Sequence, residues 1–119
     1  MENHQSSYAL DNDHPIPNLD VVDVNTVKKG GGSDLFIVIA TALSGDKRSL
    51  ERLLRKVERY LEFMRTEEFL AESGTPSPDN TNIIVKLHPH SDRAVFELLE
   101  RCKPWVLENG ANLLIDTRL

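Results

Sequence analysis

The apolar positions of this chain change period several times, and each change marks an element. Over residues 20–27, "DVVDVNTV", β-branched residues alternate with polar ones, which places Val22, Val24 and Thr26 on one face of a strand. "KKGGGSD" follows, a glycine run able to take positive φ in a tight turn. The next run, "LFIVIATAL", is apolar at every position that matters. Together these predict an antiparallel hairpin of residues 21–28 and 34–43. A helical period then takes over in "SGDKRSLERLLRKVERYLEFMRTEEFLAESG". Leu50, Leu53, Leu54, Val57, Tyr60, Leu61 and Met64 form its apolar stripe. Ser44 or Asp46 is placed to cap its start, and Gly74 to close the region. "TPSPDNTN" reads as a loop and residues 82–88, "NIIVKLH", as a third strand. Ser91 or Asp92 opens a second helix with an inner stripe of Val95, Leu98, Leu99, Cys102, Trp105 and Val106. Pro104 should kink or divide that helix, because it lacks an N–H, and Gly110 should stop it. Residues 111–118 supply the last strand.

The order is ββαβαβ, an α+β domain. Two amphipathic helices on one face of a four-stranded mixed sheet make a two-layer sandwich. The second strand does not fit a sheet with one wet face. Leu35, Ile37 and Ile39 share one side of it, and Phe36, Val38 and Ala40 the other. Each large side chain kept from water contributes about 1.5–3 kcal/mol, so two apolar faces need two covers. The helices supply one. The other is either a second copy, as a two-fold dimer with sheets back to back, or the N-terminal segment folded across through Ile16 and Leu19. The interface candidates are therefore Phe36, Val38, Ile16 and Leu19. Residues 1–18 otherwise read as a polar tail, ordered by contacts, and residues 19–119 as the single domain.

The succession "VVDV", glycine turn, "DLFIVIATAL", "LERLLRKVERYLEFM", "NIIVKL", "FELLERC", "ENGANLLIDTRL" resembles a family of small bacterial proteins of unknown function, of the kind also carried on mobile integron gene cassettes. The resemblance covers about residues 19–119 and rests on Leu54, Tyr60, Leu61, Phe63 and Gly110. It implies the fold and no catalytic residue. "ATALSGDKR" stands where that family usually has an acidic, tryptophan-bearing segment, so any function carried there differs in this chain.

Charge narrows the function classes. A net charge of −5 argues against a nucleic-acid binder, which needs a basic footprint. The first helix is nonetheless locally basic on its outer face, with Lys47, Arg48, Arg52, Arg55, Lys56, Arg59 and Arg65. That face is either solvated or docks an acidic partner, including this chain's own N-terminal segment. The single cysteine excludes an internal disulfide. No apolar run approaches the roughly 20 residues of a membrane span, and the N-terminus has no leader pattern, so a cytoplasmic location without membrane contact is expected.

Candidate chemistry centres on "VKLHPHSD". In extended chain His88 and His90 point to one side about 6.5–7 Å apart, a spacing used for zinc, and Asp92 is a third possible ligand. The helix start beside them offers N–H groups to an anion. The plainer reading is a strand ending at His88, stopped by Pro89. Trp105 is a ligand platform or a core anchor. Cys102 lies among Leu98, Leu99 and Val106 and reads as core. No catalytic residues, cofactor motif, phosphate-loop glycines or nucleophile motif are present. The expected function is a non-enzymatic, homo-oligomeric interaction or adaptor module, with an unidentified protein partner. The alternatives are a small-molecule binder, with a pocket between sheet and helices or at a subunit interface, and a metal-dependent hydrolase at His88 and His90.

Overall fold

The computed structural model describes residues 9–118. Strands β1 (Val24–Val27) and β2 (Ser33–Ile39) precede helices α1 (Lys47–Phe63) and α2 (Glu67–Ser73). Then come β3 (Thr81–Leu87), α3 (Arg93–Glu108) and β4 (Asn112–Asp116). The fold is α+β with a four-stranded mixed sheet in the order β1-β2-β3-β4. β1 pairs antiparallel with β2, while β2, β3 and β4 are parallel. These elements include three helices where the periodicity predicts two. The long helix stops at Met64 because Thr66 starts a new one: its hydroxyl accepts from Phe69 N–H at 3.2 Å and Glu67 and Glu68 fill the first turn. The carboxylates Glu67, Glu68 and Glu72 therefore belong to α2.

The hairpin turns where the glycines stand. Gly31 and Gly32 have φ of 102° and 88°, which only glycine adopts without strain. α3 runs unbroken through Pro104, and Gly110, at φ 95°, ends it. β2 ends at Ile39, four residues before the expected limit.

The core lies on one side of the sheet. Leu35, Ile37 and Ile39 of β2, Ile83, Val85 and Leu87 of β3 and Leu113 of β4 are buried in one cluster with Leu53, Val57 and Leu61 of α1, Phe69 of α2, and Val95, Leu99 and Val106 of α3. Leu54, expected in the stripe, is 40% exposed. The N-terminal segment joins the same cluster through Ala9, Ile16 and Leu19. Its described residues, from Ala9 on, pack on the α1 side of the sheet and not across its outer face. Arg52 and Lys56, on the face expected to be solvated or to dock this segment, are buried beneath it. Arg52 donates to Ile16 O and Ala9 O, and Lys56 Nζ donates to Asn18 O, to Val21 O at 2.7 Å and to Asp23 Oδ1 at 3.0 Å. A polypeptide without a ladder of its own buries carbonyls only if other donors reach them. These two cations supply the donors.

Among the described residues no helix is long and apolar enough to cross a membrane.

Candidate functional site

The outer face of the sheet follows from the register. Val24 stands beside Phe36, Phe36 beside Ile84, and Ile84 beside Leu114. One apolar row thus crosses all four strands. Val24, Val38 and Leu114 are 45%, 45% and 46% exposed, and Phe36 and Ile84 are half-buried. Polar residues bound the row on both sides. Thr26, Asp34, Asn82 and Asn112 line one flank, where Lys28 pairs with Asp34 at 3.4 Å and Asn82 donates to Asp34 at 2.9 Å. Lys86 and Asp116, paired at 2.9 Å, line the other beside Val38, and Arg118 holds the same carboxylate. These two cations press the Asp116 carboxyl well below the usual range. Of the four interface candidates, Phe36 and Val38 lie on this face. Ile16 and Leu19 do not: both are buried in their own chain's core against α1.

Tyr60 fixes the rim of this face from below. Its hydroxyl donates to Phe36 O at 2.5 Å and accepts from Asp23 N–H at 2.7 Å, and burial raises the phenol far above its ordinary value. Asp23 in turn accepts Val38 N–H at 3.0 Å, past the last residue of the β1–β2 ladder. Tyr60→Phe leaves a carbonyl and an amide without this partner. It should cost about 1–3 kcal/mol in urea unfolding. A change within the error of that measurement would show that water replaces the hydroxyl.

His88 and His90 are neighbours, with ring centres 5.3 Å apart and edge to face. His88 Nδ1 accepts His90 N–H at 3.1 Å, so this nitrogen is taken within the turn. Asp92 turns away to accept Gly45 N–H at 2.7 Å, while its own N–H donates to Leu43 O. The "HPHSD" stretch thus stitches the β3–α3 turn to the loop before α1. Among the described residues no group of three or more His, Cys, Asp or Glu is placed to hold a metal ion. Trp105 is half-buried against the core. Cys102 is buried, which pushes its thiol up and disfavours the nucleophilic thiolate.

A serine–histidine couple was not legible in the sequence. His14 Nε2 lies 2.9 Å from Ser49 Oγ, and Asp46 is hydrogen-bonded to Ser44 and Ser49, which lower its carboxyl from the usual range to about 2. This is not a nucleophile and its base. His14 Nδ1 accepts Ile16 N–H at 2.9 Å, so the neutral ring carries its proton on Nε2 and donates to Ser49. A general base would need that nitrogen free to accept.

A groove of about 420 Å³ runs on the helical side between α1 and α3, lined by Gly45, Lys47, Leu50, Glu51, Leu54 and Leu98. It is open and apolar, and its two charges, Lys47 and Glu51, pair with each other at 3.8 Å. It lacks the convergent polar groups that orient a small ligand.

The chain matches no family model, no curated protein and no solved structure. The resemblance to small bacterial proteins therefore has only the sequence pattern behind it.

Proposed function

We propose that the protein is a non-enzymatic interaction module that associates with a second copy of itself through the outer face of its sheet, in a two-layer domain whose helices leave that face free. The observation that carries this reading is the apolar row Val24, Phe36, Ile84 and Leu114, which no described segment of the chain covers. Charge favours a like partner. The chain carries −5 overall, yet each flank of the row holds charges of both signs already paired. Two such faces meet without like-charge repulsion, and neither flank offers a single sign to select an acidic or basic partner. The row runs across the sheet, so a two-fold axis lying between two faces and parallel to the strands sets Phe36 opposite Ile84 and Val24 opposite Leu114.

Size sets the strength. Four strands about 4.8 Å apart and five residues deep give roughly 300 Å² of flat face. That is small beside the roughly 800 Å² per partner of a standard interface, so weak, transient association is expected. An adaptor that exchanges partners on the same face fits that strength.

Sedimentation equilibrium of wild type, Phe36→Asp and Leu107→Asp up to about 1 mM tests the reading. Leu107 is half-exposed on α3, away from the face, and serves as control. Wild type and Leu107→Asp should dimerise and Phe36→Asp should stay monomeric. A monomeric wild type over the whole range, or a Phe36→Asp dimer, overturns it.

A further inference from the structure

Residues 9–19 close on themselves before they close on α1. Leu10 and Asn18 form an antiparallel bridge, Asp11 N–H donates to Pro17 O at 2.7 Å, and Leu19 N–H donates to Ala9 O at 3.0 Å. His14 stands inside this loop, and its own N–H donates to Asp11 O at 3.0 Å. Both ring nitrogens are committed, Nδ1 as acceptor from Ile16 N–H and Nε2–H as donor to Ser49. A second proton has only Nδ1 to go to, and there it would meet the Ile16 amide hydrogen. The ring is half-buried, so solvent protons reach it while the loop is shut.

Its electrostatic surroundings act the same way on balance. Burial and the Arg52 guanidinium, helped by Arg48, hold the imidazole below its ordinary value, against Asp11 of the loop and Asp46 at the start of α1. Arg48 is itself paired with Asp11 at 2.6 Å.

We infer that the 9–19 loop is an acid-released latch on α1, held shut by neutral His14 between Ile16 and Ser49, and that its release uncovers Arg52. The sign follows from the two forms. In the open loop the imidazole takes its ordinary value of about 6.5, and in the shut loop it binds a proton less readily. The latch is therefore fully held above about pH 6.5. Below that, its shut-to-open ratio falls by at most about tenfold per pH unit, until the shut form also titrates.

Amide hydrogen exchange of the whole chain at about pH 7.5 and 5.5, corrected for intrinsic rates, reads this directly. The control is His14→Asn, which keeps an acceptor for Ile16 N–H and does not titrate there. In wild type, protection of residues 9–19 should fall by up to about tenfold while β2 and β3 are unchanged. His14→Asn should show no such pH dependence. An equal fall in His14→Asn, or none in wild type, overturns the proposal. An NMR titration of the His14 ring in wild type decides independently of whether the variant closes its loop. A midpoint below about 6.5 is required, and one at or above it overturns the latch.

Discussion

Replacing Arg52 by alanine is expected to lower the unfolding free energy by about 3–5 kcal/mol. The side chain is fully buried and donates through Nε to Ile16 O at 3.0 Å and through Nη2 to Ile16 O at 2.8 Å and Ala9 O at 3.0 Å. Truncation removes a large packed group and leaves two carbonyls to find water in a space that held a guanidinium. The cost of unmade bonds to buried groups exceeds the net gain of the same bonds when made. Two further variants separate the contributions. Arg52→Met fills the volume but donates nothing. Arg52→Lys donates and keeps the charge but has no planar fork for two carbonyls. Urea unfolding should rank them wild type, Lys, Met, Ala. A loss in Arg52→Ala below about 1 kcal/mol would mean that residues 9–19 hold to α1 by Ile16 and Leu19 alone.

That buried cation is only half legible in the sequence. Charged residues are seldom fully buried, so the basic face of α1 reads as either solvated or docking the chain's own N-terminal segment, and the structure has the second at Arg52 and Lys56. Yet Arg52, Lys56 and Tyr60 recur at i, i+4 and i+8, one lane beside the Leu53, Val57 and Leu61 stripe, and all three end in donors. A segment such as 9–19, with apolar anchors and no long strand, must find donors for whatever carbonyls it buries. A lane of long donors on the neighbouring helix is the matching half. The break at Met64 was legible too. "TEE" after "FMR" is a cap followed by acids, although Phe69 and Leu70 prolong the apolar pattern beyond it.

The sheet was more readable, because a period of two has only two phases. Alternation sorted Leu35, Ile37 and Ile39 from Phe36 and Val38, and burial follows that division. Only the parallel register, which no local pattern contains, shows that Phe36, Ile84 and Leu114 stand in line. The His14–Ser49 contact joins residues 35 positions apart and left no local mark. The two apolar sides of β2 now have different standing. One is closed by the helices, and the other faces outward with its edge fastened by Asp23, Tyr60 and Lys56. The residues that order the N-terminal segment thus also set the rim of the outer face.

Gly32→Ala should be comparably damaging, by about 3 kcal/mol or more, although it adds one methyl group. Two costs coincide at this position. The backbone sits at φ 88°, where an L side chain is strained by about 1–3 kcal/mol. A Cβ there would also fall 2.1 Å from Asn80 O and 2.8 Å from its carbonyl carbon. Those are backbone atoms of the residue just before β3, so no rotamer change relieves the overlap. The turn has little freedom to yield, because Gly32 N–H donates to Ser73 O at 2.8 Å and Ser33 N–H to Asn80 O at 3.2 Å. The buried hydroxyls of Ser33 and Ser73, 2.6 Å apart, hold the end of α2 to the same point. The strain should therefore spread into the β2–β3 pairing and the α2 contact together. Gly30→Ala is the internal control: no atom lies within 4 Å of its Cβ and its φ is not in the positive region. It should be neutral within about 0.5 kcal/mol. Paired unfolding curves check the contrast. Equal midpoints for the two variants would mean that the turn carries no constraint and that β2 and β3 find their register without it.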